Sequence, residues 1–213
     1  MKSMSIAFLV SLFCVFFSED KAMGLEVDWK EIDDIANYTL DNVHGHLVKG
    51  FHFADGMGEG LVLLTESGII TEMDEYENEV QSKDIYAYAY RLVEQDAHLV
   101  WRIMDFTRQC DLDGFDASFI VEGVKFTDLD SDGVAEIWVP YVLSCRGDPG
   151  PMTMKIIMYE GVQKYALRGV TNSWISLQER AGGEYSYDDA FAAGPREFLR
   201  FAQGLWSELM YRN

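Results

Sequence analysis

The pattern of hydrophobic and polar positions predicts a chain built mainly of β-strands. Residues 84–93 alternate, with Tyr86, Tyr88 and Tyr90 on one face, and a period of two is typical of a strand. Hairpin turns are predicted at the Gly-rich stretch 55–60, between the runs 47–53 and 60–65, and at Glu160-Gly161, between the runs 152–159 and 163–170. No intervening helix is long enough for a parallel crossover. We therefore expect a mainly β (α+β) fold, with an antiparallel sheet or meander of about eight strands. The other runs of strand length lie at 47–53, 60–65, 98–107, 119–126, 135–143, 152–159 and 163–170.

Helical spacing replaces this alternation near the two ends of the expected domain. Asp28 is a good N-cap, and Glu31 three residues later completes a capping box, which predicts a short N-terminal helix over 28–38. After Gly194-Pro195, an apolar stripe predicts a C-terminal amphipathic helix that packs on the sheet. The stripe consists of Phe198, Phe201, Ala202, Leu205, Trp206 and Leu209.

The first residues have the pattern of a signal peptide. A positive start precedes the uncharged run 5–17, which is too short to span a bilayer but suits the apolar region of a signal. Small residues at Ala22 and Gly24 predict cleavage after Gly24, and an uncleaved N-terminal anchor is the alternative. We expect a signal peptide over 1–24 and a single β-rich domain over 25–213, exported to the periplasm, the cell surface or the medium, with no integral membrane segment.

Acidic residues dominate the charged positions, with 36 Asp and Glu against 17 Lys and Arg and a formal net charge of −19. Nucleic-acid binding and docking on anionic lipid both need a basic surface, so this balance argues against them. Cations, neutral molecules and basic surfaces fit better as partners.

Export also changes the interpretation of the cysteines. Cys14 leaves with the signal, so Cys110 and Cys145 remain. Two thiols in an oxidising compartment favour a disulfide between them, and two buried thiols are the alternative.

The segment with the most specific chemistry is 126–137, which carries the pattern D-x-D-x-D-G-x-x-E. Carboxylates at alternate positions of a curling loop converge on one point, and Gly133 permits the sharp turn. Hard oxygen ligands in this number suit Ca²⁺. The predicted ligands are the side chains of Asp128, Asp130 and Asp132, the carbonyl of Val134, and Glu136 directly or through water.

The segment departs from a complete EF-hand, because Val139 stands where the bidentate Glu belongs and the flanks are predicted strands. It is more similar to the strand–loop–strand calcium loops of FG-GAP and VCBS-type repeats, which occur in exported β-proteins. The alternative is a tight hairpin without metal, in which the Asp side chains make Asx turns.

Other candidate sites are weaker. Arg146-Gly147-Asp148 spells an adhesion tripeptide, but three letters recur by chance, and we interpret it as part of a loop. Asp148, Asp113 and Glu122 are candidate acids or bases for an enzyme acting on polysaccharide. The abundance of carboxylates prevents a catalytic pair from being chosen.

Several motifs occur together in the C-terminal half, of which the block 155–161 is the most specific. The others are 105–106, Cys110, 127–133, Glu136, Trp138, 145–148, Met154, 164–166 and 168–169. With the tail from 189 they resemble a family of exported bacterial proteins described as surface polysaccharide biosynthesis proteins. The resemblance implies export and a link to cell-surface polysaccharide, and it supplies no reaction or catalytic residue.

The sequence therefore favours an exported, non-catalytic accessory protein in surface-polysaccharide assembly, with one structural Ca²⁺ and a disulfide. Its expected partner is polysaccharide or an envelope assembly protein. The alternatives are a polysaccharide hydrolase or lyase, and a secreted binding module.

Overall fold

The computed structural model describes residues 27–94, 96–176 and 178–211, which form three antiparallel sheets and two C-terminal helices. The first sheet contains β1 (Asp28–Ile32), β2 (His46–Asp55), β3 (Gly58–Glu66), β4 (Ile70–Met73), β5 (Glu79–Val93) and β6 (Asp96–Cys110). The second contains β7 (Asp116–Phe119), β8 (Lys125–Thr127), β9 (Glu136–Ser144), β10 (Thr153–Glu160), β11 (Gln163–Val170) and β14 (Tyr185–Tyr187). A small third sheet pairs β12 (Asn172–Trp174) with β13 (Arg180–Gly182), and the helices are α1 (Asp189–Ala193) and α2 (Arg196–Leu209). The predicted mainly β, antiparallel fold is confirmed.

The two large sheets are built around one long central strand each. In the first sheet, β3 and β4 lie end to end along one side of β5, and β6 lies along the other. In the second sheet, β7 and β8 lie end to end along one side of β9, and β10 lies along the other. The predicted hairpins 47–65 and 152–170 are confirmed as β2–β3 and β10–β11.

The main hydrophobic core lies between the two large sheets. Alternate residues of each strand point into it, which is the expected consequence of a period of two. Burying this apolar area on both inner faces is the main favourable term in the stability of such a sandwich. From the first sheet it takes Phe51, Phe53, Val62, Leu64, Ala87 and Ile103, and from the second Phe126, Ile137, Val139, Ile157 and Tyr159.

The C-terminal helix covers the other face of the second sheet, as predicted. Phe198 and Trp206 are fully buried there, and the ring of Phe201 lies 4.8 Å from that of Trp138. The Trp206 indole N–H donates to the carbonyl of Gly183 (2.9 Å), so this buried aromatic residue has its polar atom satisfied.

The predicted helix over 28–38 is wrong, because its first part is strand β1, paired with β2 from Asp28↔Ala54 to Ile32↔Gly50. The Trp29 ring lies 5.5 Å from that of Phe126 and 5.9 Å from that of Phe51. Pairing with β2 thus brings a large aromatic ring onto the core, and this gain overrides the local capping pattern.

The predicted strand 119–126 is also interrupted, since a 3₁₀ turn over Val121–Gly123 separates β7 from β8. The interruption faces Pro140 of β9, whose carbonyl accepts a hydrogen bond from the Ile120 N–H (2.9 Å). Proline has no N–H to offer on the same side, so a continuous ladder cannot form there. A Cβ on Gly123 would lie 2.8 Å from the Pro140 ring, which keeps this position glycine.

The Cys110–Cys145 disulfide is confirmed, with Cα atoms 5.5 Å apart, and it joins the end of β6 to the residue after β9. It therefore links the two sheets covalently. Within the described residues, no helix combines the length and apolar character that a membrane crossing requires. The predicted signal peptide over 1–24 lies outside the described residues.

Candidate metal site

The acidic turn joins the end of β8 to the start of β9, so two paired strands fix both of its ends. Ser131 and Gly133 have positive φ angles of 62° and 87°. This left-handed backbone reverses the chain within a few residues, and glycine adopts it at no steric cost. The reversal brings Asp128 and Glu136, eight positions apart, to the same side of the turn.

The structure brings the predicted acidic side chains together in two overlapping groups. In each group, one carboxylate oxygen from every residue lies within 4.8 Å of those from the other two. The first group contains Asp128, Asp130 and Glu136. The second contains Asp130, Asp132 and Glu160. Two oxygens bound to one Ca²⁺ at about 2.3–2.6 Å can be at most about 5 Å apart, so each group can hold a metal ion.

Asp128 is the most informative member of the site. Its side chain is buried (4% exposed), and its Oδ2 accepts a hydrogen bond from the Gly133 N–H (3.1 Å). Its Oδ1 is also buried, and it has no hydrogen-bond partner among the described residues. A buried carboxylate oxygen without a donor is costly, and a cation is the natural partner for it.

Glu136 is fully buried beside Asp128 and is held by three hydrogen bonds. The Thr127 hydroxyl donates to its Oε2 (2.6 Å), and the Leu129 N–H donates to its Oε1 and Oε2 (2.9 and 3.0 Å). The Trp138 indole N–H donates in turn to the Thr127 hydroxyl (2.8 Å). Burial raises the pKa of Glu136 to about 7, and the charges of Asp130 and Asp128 act in the same direction.

Glu160 is a member of the site that the sequence-based ligand set lacks. It ends β10, directly opposite Glu136 in the ladder between β9 and β10. Burial raises its pKa, and the neighbouring Asp130 and Asp132 charges add to this shift. The pKa of Asp130 is also raised, by burial first and then by Asp132 and Asp128. These shifts share one cause, which is negative charge crowded into a partly desolvated turn.

The remaining predicted ligands lie in the same turn and also make local bonds. The Val134 N–H donates to Asp132 Oδ1 (2.7 Å), and the Asp132 N–H donates to Asp130 Oδ1 (3.3 Å). These are the Asx-type contacts of the metal-free alternative. They use only one oxygen of each carboxylate, so the other oxygens remain for a cation. The role of the Val134 carbonyl stays a prediction.

The turn is fastened to the first sheet by the hairpin between β2 and β3. The Gly56 N–H donates to the Gly133 carbonyl (2.6 Å), and the Ala135 N–H donates to Asp55 Oδ2 (3.0 Å). Asp55 is itself held by Arg91, through Nη1 to Oδ1 (2.7 Å) and Nη2 to Oδ2 (2.6 Å). The cation site is thus built on backbone that two sheets position.

The three candidate catalytic carboxylates lie outside the acidic turn. Asp113 follows β6 in a turn, and Glu122 lies in the 3₁₀ turn between β7 and β8. Asp148 lies in the loop after β9, where its Oδ1 accepts the Gly150 N–H (2.8 Å). The structure does not place these residues with the acidic groups of the turn.

Comparison with known proteins does not assign the chain to a family. No family model, curated protein or solved structure matches the chain. The chemistry of the acidic turn therefore carries the functional conclusion.

Proposed function

We propose that the acidic turn binds one Ca²⁺ ion and that the protein is a non-catalytic accessory in surface-polysaccharide assembly outside the cytosol. The observation that carries the metal assignment is the state of Asp128 Oδ1, which is buried and receives no hydrogen bond from the described residues. Asp128 also lies close enough to Asp130 and Glu136 for the three carboxylates to share one ion. Several carboxylate oxygens crowded into one turn suit the flexible, all-oxygen coordination of Ca²⁺ better than the strict octahedron of Mg²⁺. Because the turn joins two core strands, binding stabilises the fold.

Two observations support the wider role. The Cys110–Cys145 disulfide suits an oxidising compartment, in agreement with the signal-like pattern of the first residues. The motifs of the C-terminal half, including the acidic turn and 155–161, resemble those of surface polysaccharide biosynthesis proteins, and this resemblance supports the link to surface polysaccharide. The hydrogen bonds that hold Asp128 and Glu136 within the turn suit the fixed ligand positions of a structural ion.

Calcium is expected to raise the melting temperature of the EDTA-treated chain. At a Ca²⁺ concentration of 100 times the dissociation constant, the gain is about 2.7 kcal/mol, or about 5–10 °C for a domain of this size. The measurement is thermal unfolding with Ca²⁺, with Mg²⁺ at the same concentration, and with EDTA. Equal melting temperatures with Ca²⁺ and with EDTA would remove the metal proposal.

Asp130→Ala is expected to abolish this calcium response, because Asp130 belongs to both acidic groups. Without metal the variant should melt no lower than the wild type, since the change relieves repulsion in the turn. Asp111→Ala is the matched control, because Asp111 is an exposed aspartate that directly follows β6, outside the acidic turn. It should keep the full calcium response.

The accessory role is tested with a glycan array screened with and without Ca²⁺, followed by product analysis on every glycan bound. Retention of unaltered polysaccharide is the expected result. Shortened chains or new reducing ends would favour the hydrolase alternative, and unsaturated ends would favour the lyase.

A further inference from the structure

A second polar site lies at the opposite end of β9 from the acidic turn. It is a cavity of about 260 Å³ on the outer face of the second sheet, next to the disulfide. Asp116 and Ser118 come from β7, and their ladder partners Ser144 and Val142 come from β9. Arg146, just beyond the disulfide, completes the polar lining.

Arg146 is the unexplained group of this cavity. Its Nε and Nη1 are buried and have no hydrogen-bond partner among the described residues. A guanidinium is always charged, and leaving its donors buried and unpaired destabilises the fold. Arg146 is one of the residues that line the cavity. An acceptor bound there is therefore expected to pair with this guanidinium, and the planar carboxylate is the group that a guanidinium matches best.

The backbone holds Arg146 in this position. The Gly114 N–H donates to the Arg146 carbonyl (2.8 Å), and a Cβ on Gly114 would lie only 2.5 Å from Arg146 Cγ. Gly114 thus makes room for the arginine stem across the loop. The Gly114 carbonyl also accepts the Ser144 hydroxyl (2.6 Å), which joins the cavity wall to the same loop.

The other polar groups of the cavity are acceptors for hydroxyl groups. Ser118 donates its hydroxyl proton to Asp116 Oδ2 (3.0 Å), and Ser144 donates its own to Gly114. Both serine oxygens keep free lone pairs, and a carboxylate such as Asp116 only accepts. A ligand that suits the cavity therefore offers one carboxylate to Arg146 and hydroxyl groups to Asp116, Ser118 and Ser144.

We propose that this cavity binds a small hydroxylated carboxylate, with its carboxylate on Arg146 and its hydroxyl groups on Asp116 and the two serines. The cavity volume is just below the usual range of about 300–1,000 Å³ for ligand sites, which suits a ligand of monosaccharide size. One positive and one negative group in the lining favour a monoanion with hydroxyl groups over a doubly charged phosphate. A uronic acid and an open-chain sugar acid share this chemistry.

The test titrates the full, oxidised chain with galacturonate, gluconate, acetate, galactose and inorganic phosphate, with calorimetry and the Arg146 Nε–H resonance as readouts. Galacturonate is expected to bind and to shift that resonance, while galactose should not bind because it lacks the carboxylate. Stronger binding of gluconate would identify an open-chain acid as the source of the carboxylate. Each titration is repeated with Ca²⁺ and with EDTA, so failure of this site and failure of the calcium site are distinguishable.

Arg146→Gln is expected to weaken galacturonate binding by about ten- to a hundredfold, because the loss of one hydrogen bond to a charged group changes affinity by about this factor. Arg168→Gln, a change of an exposed arginine on β11, should leave it unaltered. Should Arg146→Gln fail to fold, Asp116→Asn gives a second test: it should strengthen phosphate and acetate binding and reduce the advantage of galacturonate over acetate. The proposal is overturned if galacturonate and galactose bind alike, if phosphate binds as tightly as galacturonate, or if folded variants bind like the wild type.

Discussion

Replacing Asp55 with alanine is expected to lower the free energy of unfolding by about 3–5 kcal/mol, the usual cost of breaking a buried ion pair from one side. The Asp55 side chain is 1% exposed and that of Arg91 is 19% exposed, so the arginine charge loses its partner in a poorly solvated place. The same change removes the acceptor of the Ala135 N–H. The contact between the β2–β3 hairpin and the acidic turn is therefore weakened as well.

Urea unfolding of three variants checks this result. Glu31→Ala removes a mostly exposed partner of Lys49, so it should cost no more than about 1 kcal/mol. The double change Asp55→Ala with Arg91→Met removes both charges and should recover part of the loss. A cost for Asp55→Ala equal to that of Glu31→Ala would contradict the role given to this pair.

Removing the disulfide by Cys110→Ser with Cys145→Ser is expected to cost about 4 kcal/mol on the chain-entropy account. The cross-link closes a loop with a sequence separation of 35 residues, and Cys110 is 1% exposed at the end of β6. The unfolded chain gains the freedom that the cross-link removes, while both sheets keep their hydrogen bonds.

Chemical unfolding of the oxidised wild type, the reduced wild type and the double variant measures this cost. The reduced wild type is the internal control, because it lacks the bond but keeps both cysteines. It should unfold close to the double variant. A double variant as stable as the oxidised wild type would show that the bond adds nothing to stability.

Local patterns predicted most of the strands because they depend on neighbouring residues. The alternation at 84–93 and the turn at Glu160-Gly161 both carry their signal within a few positions, and both predictions are confirmed as β5 and the β10–β11 hairpin. Asp28 to Glu31 carried an equally clear helix signal, yet those residues form β1. Pairing with β2 decided that case, and such pairing is invisible to a short window.

The residues of the candidate site also differ in whether local sequence patterns could predict them. Asp128, Asp130 and Glu136 lie within one turn, so the spacing of carboxylates was enough to group them. Glu160 joins them only through the register of β9 against β10. A signal for it existed, because the start of one strand faces the end of its antiparallel neighbour. Asp55 carried no such signal, since its contact with Ala135 depends on how the two sheets pack.

Strand β9 is anchored at both ends, by the acidic turn before Glu136 and by the disulfide after Ser144. With the proposed ion bound, the two anchors depend on different properties of the surroundings: the acidic turn depends on the concentration of free calcium, and the disulfide depends on the redox potential. In oxidising, calcium-rich surroundings the ion is bound and the disulfide is formed, whereas in reducing, calcium-poor surroundings the ion is absent and the cysteines are reduced. The molecule would thus reach its full rigidity only where the two conditions coincide.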